Sequence, residues 1–198
     1  MADEMPELLL PDAAAWHAWL EENHAASNGV WLVLSKKGGT VTSLTYPDAL
    51  DEALCFGWID GQKRRRDEGS SVQRMTPRRS RSMWSSRNVG HVERLEREGR
   101  MQEAGRAQVR AAQADGRWEN AYGGASTMVV PEDLAEALAA SPAAQAWFDA
   151  LTSTNRFAVL YRMVSVKRPE TRTRKIAEAV SSLSRGETPY PQKRRPPD

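Results

Sequence analysis

The densest group of polar and aromatic side chains lies between residues 58 and 88, and its residue types suit the binding of an anion. Guanidinium groups can hold a phosphate or carboxylate through paired hydrogen bonds. Short hydroxyl and amide side chains ahead of a predicted helix supply further donors, and indole rings form apolar walls. We predict a small anionic or polar ligand in a cleft formed by Trp58, Gln62, Arg74, Arg78, Arg79, Trp84, Ser85 and Asn88. The alternative is that these arginines pair with acidic residues elsewhere.

Asp60 offers a second interpretation, in which the chain is an enzyme. On a strand it shares a face with Trp58 and Gln62, where partial burial would raise its pKa and suit it to general acid/base catalysis. The competing interpretation is an ion pair with an arginine across a hairpin. Cys55 is expected to be a buried structural thiol, because it follows Leu54 on the apolar side of a predicted helix.

No spacing of histidine and cysteine typical of a metal site occurs, and no glycine-rich phosphate motif, so we expect no metal and no cofactor. A third interpretation is a weak single-stranded nucleic-acid binder, in which Trp58 and Trp84 stack bases beside basic strands. The sequence lacks a zinc-finger, helix-turn-helix or RNA-recognition signature, which disfavours that function.

The net charge of +2 is unevenly distributed. Residues 63–87 carry +7 and residues 162–198 carry +6, so the rest of the chain carries −11. The basic segments favour an anionic partner, whereas the acidic remainder is suited to a cationic peptide.

The single cysteine fits a reducing compartment, and no apolar run reaches the ~18 residues that a membrane span needs. The N-terminal segment is acidic where a signal peptide would be basic. We therefore expect a cytoplasmic protein without a membrane span. Its oligomeric state is not predicted.

Two hairpins and a series of helices must position the predicted site. Apolar and β-branched runs around Gly38-Gly39 predict a hairpin over 30–46, and a second is predicted over 58–77 around Asp67-Glu68-Gly69. The fold class is therefore α+β, a small antiparallel sheet of two hairpins packed against a mainly helical C-terminal half. We predict one domain over residues 1–186, hairpin-rich over 10–85 and helical over 86–186, followed by a disordered basic, proline-rich tail over 187–198.

Several linked motifs carry a family resemblance: ALCFGWIDG at 53–61, QRMTPRRSRSMWSSRN at 73–88, PEDLAEALAASPAAQAWFDAL at 131–151 and VKRPETRTRKI at 166–176. Over roughly residues 10–186 the chain resembles the YdeI/OmpD-associated, or bacteriocin-protection, proteins. The resemblance implies a soluble bacterial protein connected with tolerance to cationic antimicrobial peptides and with envelope stress. It implies no reaction, cofactor or catalytic residue.

Overall fold

The computed structural model describes residues 5–124, 127–164, 166 and 168–197. They form two compact units. The first comprises the described residues up to Trp84 together with Asn88–Asn120, and the second comprises Ser85–Arg87 and the described residues from Ala121 onward. The α+β class is confirmed, while the single domain predicted over 1–186 stays a prediction.

In chain order the first elements are β1 (Glu7–Leu8), α1 (Ala13–Asn23), β2 (Val30–Ser35), α2 (Tyr46–Cys55), β3 (Trp58–Arg65) and β4 (Ser70–Pro77). The helices that follow are α3 (Ser86–Arg97), α4 (Glu103–Ala114), α5 (Glu132–Ala139), α6 (Pro142–Asp149), α7 (Ser153–Val164) and α8 (Pro169–Ser184). No helix in the described part of the chain is long and apolar enough to cross a bilayer.

The four strands form one sheet in the order β1-β2-β4-β3. β1 pairs with β2 in parallel, with Glu7 opposite Trp31, and the other pairs are antiparallel. The prediction of a purely antiparallel sheet was therefore wrong. The parallel pair is possible because α1 connects the two strands and returns the chain to the same end of the sheet.

The hairpin predicted over 30–46 does not form. Residues 36–45, all of them described, make turns and irregular backbone instead of a second strand. There the Thr42 hydroxyl donates to the Leu10 carbonyl oxygen at 2.6 Å, which holds this loop against the chain ahead of α1. β2 pairs instead with β4, which places Val33 opposite Val72 and buries both. A local Gly-Gly turn cannot compete with that apolar, non-local pairing.

The second predicted hairpin is confirmed as β3 and β4. Asp67 Oδ1 accepts hydrogen bonds from the amides of Gly69 and Ser70, which is the reason for the tight turn. A register shift occurs between Asp60 and Lys63, and the buried Gln73 amide donates there to the Gly61 carbonyl oxygen at 2.8 Å. Such a bulge changes which way the following side chains face.

The core of the first unit forms where α1 and α4 meet α2. The Trp16 indole donates to the Ala49 carbonyl oxygen at 3.1 Å, so α1 and α2 are joined by a hydrogen bond as well as by packing. α4 approaches the end of α2 at Gly105, where an added Cβ would lie 2.2 Å from the Cys55 carbonyl oxygen. Only glycine allows that approach.

The second unit has its own core among α5, α6, α7 and α8, with Leu134, Leu138, Phe148, Leu160 and Met163 at its centre. The buried Asn155 side chain of α7 donates to the Tyr190 carbonyl oxygen at 2.9 Å and to Gln192 Oε1 at 2.7 Å. These bonds give the buried Asn155 amide the hydrogen-bond partners that it requires, while the disorder predicted for the tail over 187–198 stays a prediction.

Candidate functional site

The structure brings two of the predicted ligand residues, Arg78 and Trp84, into direct contact. The Arg78 guanidinium lies 3.5 Å from the centroid of the Trp84 ring, and its Nη1 donates to the Met83 carbonyl oxygen at 3.3 Å. Both residues are buried, with 6% and 2% of their surface exposed. They form a packed pair inside the first unit, and the ligand contact predicted for Arg78 stays a prediction.

Trp58 and Asp60 lie at the beginning of β3. Trp58 is 1% exposed, and its indole donates to the His24 carbonyl oxygen at 3.1 Å while packing edge-on against Trp16. Trp58 is therefore packed in the core, and its predicted place in the wall of a ligand cleft stays a prediction. Asp60 Oδ2 accepts a hydrogen bond from the Tyr46 hydroxyl at 2.8 Å, in place of the arginine predicted across the hairpin. The catalytic role of Asp60 stays a prediction.

The other predicted residues have different surroundings. Gln62 is exposed beside the bulge, and Arg79 is exposed after β4. Arg74 is half-buried on β4, opposite Trp31 of β2. Asn88 is buried in the first unit, and Ser85 belongs to the second unit, where it bridges to Tyr122. The ligand site predicted for the whole set stays a prediction.

A groove of about 490 Å³ lies between α3 and α4. Its apolar lining is Val92, Val109 and Trp118, and its polar lining is Glu93, Glu96, Arg97, Arg106, Arg110 and Gln113. The Trp118 ring packs edge-on against Trp84, with their centroids 4.8 Å apart. The buried stack of Arg78 and Trp84 therefore supports the aromatic end of this groove.

The charges along the groove are unequally compensated. Arg106 Nε donates to both carboxylate oxygens of Glu96 at 3.0 Å, which raises the pKa of that guanidinium. Arg110 bonds to Glu103, which lowers the pKa of the Glu103 carboxyl. Arg97 is exposed and forms no ion pair with any residue that the structure describes. One guanidinium, that of Arg97, and one carboxylate, that of Glu93, are thus left without an ion pair among the described residues of the lining.

A buried ionic cluster on α2 was missed by the sequence analysis. Asp51 and Glu52 are only 9% and 8% exposed. Arg94 Nη2 donates to both oxygens of Asp51, at 2.7 and 2.6 Å, and this bonding raises the pKa of Arg94. His91 Nδ1 lies 3.0 Å from Asp51 Oδ1. These contacts connect α2 to α3.

Glu52 makes the matching contacts on its own side of the cluster. Arg100 Nη2 donates to Glu52 Oε1 at 2.7 Å, and His17 Nδ1 of α1 lies 2.7 Å from Glu52 Oε2. The sequence signal for this cluster is a pair of adjacent acids inside the short apolar helix 46–55. It was missed because helical periodicity alone assigns such acids to the surface. The cluster is fully paired and joins three helices, which is a structural role.

Cys55 is adjacent to this cluster, and it is fully buried. Burial and the nearby Glu52 carboxylate raise the pKa of the Cys55 thiol to about 12. The thiol is therefore protonated at neutral pH, and the prediction of a structural cysteine is confirmed. The described residues contain no group of histidine, cysteine and acidic side chains that could hold a metal ion.

The four-stranded mixed sheet, the helices and the groove define the class of this molecule as an α+β protein with a helical C-terminal unit. Residues 8–108 match the family described as Domain of unknown function (DUF8412), and residues 127–186 match the family described as Bacteriocin-protection, YdeI or OmpD-Associated. The chain belongs to the first family, whose match covers the sheet-bearing half, and its C-terminal helices match the bacteriocin-protection, YdeI or OmpD-associated family. No curated protein and no solved structure matched the chain.

The predicted family is thus confirmed, over a shorter range than the resemblance suggested. The motifs at 131–151 and 166–176 lie inside the bacteriocin-protection match, whereas those at 53–61 and 73–88 lie inside the other. The family description indicates a role related to bacteriocin protection.

Proposed function

We propose that this protein acts in bacteriocin protection by binding a small ligand with an apolar body and one anionic group in the groove between α3 and α4. The observation that carries the proposal is that Arg97, which has no acidic partner among the described residues, lies in the same groove as the half-buried Trp118. The ligand class is the one predicted from the sequence. The proposed site is the groove between α3 and α4, in place of the cleft predicted from residues 58–88.

The size and lining of the groove support this ligand class. A volume of about 490 Å³ lies within the range of roughly 300–1,000 Å³ that is usual for small-molecule sites. Val92, Val109 and Trp118 offer apolar contacts to the ligand body. Because Glu96 already neutralises Arg106, the remaining guanidinium of Arg97 would meet a single carboxylate, sulfonate or phosphate.

Arg78 and Trp84 have an indirect role in this proposal. Trp84 contacts the Trp118 ring edge-on, and Arg78 covers the face of Trp84. Both hold the aromatic end of the groove in place, and neither is expected to contact the ligand.

The first test uses the anionic aromatic dye anilinonaphthalene sulfonate, titrated by fluorescence into the folded protein. Arg97→Glu should weaken dye binding by roughly tenfold, because a guanidinium that attracts the sulfonate is replaced by a carboxylate that repels it. Trp118→Ala should weaken it similarly through lost aromatic contact. The matched control is Arg174→Glu, the same charge reversal at an exposed residue of α8, which should leave the affinity unchanged. Equal affinities of Arg97→Glu and Arg174→Glu would contradict the proposed site.

The second test addresses bacteriocin protection itself. Cells that lack the protein are complemented with the wild type, Arg97→Glu or Arg174→Glu and are challenged with a bacteriocin. Arg97→Glu should fail to restore survival while Arg174→Glu restores it, provided that both variants accumulate to the wild-type level. Full protection by Arg97→Glu would show that the groove is not needed for bacteriocin protection.

A further inference from the structure

One face of the sheet carries an aromatic and basic surface, beside a groove that shares no lining residue with the groove between α3 and α4. Residues directly opposite on neighbouring strands, and residues two apart on one strand, lie on the same face. Trp31 is opposite Arg74, while Val72 is opposite both Val33 and Arg64. Trp31, Arg64, Val72 and Arg74 therefore share one face with the fully buried Val33, and we call it the Trp31 face.

The Trp31 face includes a space that would accept a planar group. The Arg64 guanidinium lies 4.2 Å from the centroid of the Trp31 ring. A groove of about 480 Å³ runs alongside, lined by Met5, Pro6, Glu7, Trp31, Arg64 and Val72. The acid of this lining, Glu7, is bonded to Arg66, so its charge is compensated.

The positive charge around this face is uncompensated. Lys63, Arg64 and Arg65 are exposed on β3, and Arg74 is half-buried on β4. Among the described residues none of these four forms an ion pair. Protection of an edge strand against aggregation accounts for the basic residues of β3. It does not account for Arg74 or Trp31, because β4 and β2 are interior strands.

We propose that the Trp31 face binds single-stranded nucleic acid. A base would stack in the groove against the planar Arg64 guanidinium that covers the Trp31 ring, and the phosphates on either side would be met by Arg74 and by the basic edge of β3. An aromatic platform next to uncompensated cations on a sheet is the arrangement that single-strand binders use. The aromatic groups of this site differ from the ones expected from the sequence, since Trp58 and Trp84 are buried.

The same geometry favours a single strand over other polyanions. A duplex conceals the faces of its bases, so it could use the cations but could not stack on the pair of Arg64 and Trp31. An anionic lipid surface would be bound most effectively by an apolar side chain projecting beyond the cations. On this face the cation lies outside the apolar side chain instead, because the Arg64 guanidinium covers the Trp31 ring.

The test is fluorescence anisotropy with a labelled oligouridylate of about 12 nucleotides, a length that spans a typical binding surface of this kind. The full chain should bind it at about 50 mM salt and lose affinity steeply by about 200 mM. The double variant Arg64→Ala, Arg74→Ala should bind at least roughly tenfold more weakly, with a shallower dependence on salt. Trp31→Ala should lose roughly tenfold through lost stacking.

The matched control removes the same charge elsewhere, with Arg174→Ala and Arg185→Ala on the exposed surface of the second unit. It should bind like the wild type. Arg64 is exposed, so the single variant Arg64→Ala should keep its fold. It therefore tests the proposal even if Trp31→Ala fails to fold. The proposal is overturned by absence of binding at low salt, by equal losses in the control, or by equal or tighter binding to a duplex of the same length or to vesicles containing phosphatidylserine.

Discussion

The Arg78 guanidinium is stacked at 3.5 Å on the ring of Trp84, and both side chains are buried. This contact gives Arg78 a structural reason to be an arginine, because a planar guanidinium can cover an indole while still donating to the Met83 carbonyl oxygen. The neighbouring Arg79 is exposed and stacks on no ring among the residues that the structure describes. Two adjacent arginines that look equivalent in the sequence therefore have different roles.

Arg78→Ala is expected to lower the free energy of unfolding by about 2 kcal/mol, through loss of the cation–π contact and of the packed stem over Trp84. The measurement is urea denaturation followed by fluorescence. Arg79→Ala, the matched control, should change the free energy by less than about 0.5 kcal/mol. Similar midpoints for the two variants would show that the stack is not a stabilising contact.

Asp51→Ala should destabilise the protein by about 2 to 3 kcal/mol. The substitution removes a carboxylate held by Arg94 and His91 and leaves a cationic group facing the buried part of α2. The estimate is below the full cost of breaking a buried pair, because 36% of the Arg94 side chain is exposed and can recover water contacts. Chemical denaturation checks this value.

The control for Asp51→Ala is Glu136→Ala, at an exposed position of α5. It should leave the unfolding midpoint nearly unchanged. If Asp51→Ala also leaves the unfolding midpoint nearly unchanged, the buried cluster does not hold α2 to α3.

Cys55 should not react with Ellman's reagent in the folded protein at about pH 8, since the thiol is buried and its pKa is raised to about 12. The full thiol equivalent should appear on addition of denaturant, as followed by absorbance. Rapid labelling of the native protein would contradict the buried, protonated thiol and would reopen a nucleophilic role.

The ion pair between Asp133 and Arg172 should make the stability of the second unit dependent on acid pH. The bond from Arg172 lowers the pKa of the Asp133 carboxyl below its ordinary value of 3.8. A lowered folded-state pKa means that the stabilisation is present above the ordinary pKa and is lost as the pH falls through the folded-state value. Asp133→Asn should therefore lower the unfolding midpoint at about pH 7, and the difference from wild type should shrink below about pH 4.

Circular dichroism during thermal unfolding across this pH range measures the effect. Asp149→Asn is the control, because Asp149 is exposed and accepts its bonds from the neutral Gln145 amide. A difference between Asp133→Asn and wild type that stays constant down to about pH 3 would contradict the assignment.

Local sequence signals determined a large part of this fold. The hairpin of β3 and β4 followed from the turn chemistry of Asp67 and Gly69 and from strand composition, and the buried thiol followed from its apolar neighbours on α2. The family was also readable from linked motifs along the chain. Each of these predictions depends on residues that are close in sequence, or on motifs that can be recognised without knowing which residues are in contact.

Tertiary structure alone decided the partners of β2, the burial of Asp51 and Glu52, and the place where Trp31 meets Arg64. It also separated Arg78, which is buried on Trp84, from Arg79, which is exposed. Sequence spacing shows which residues can share a strand or a helix face. Which face is then covered depends on non-local pairings, whose free energy comes from apolar area buried between segments that are distant in the chain.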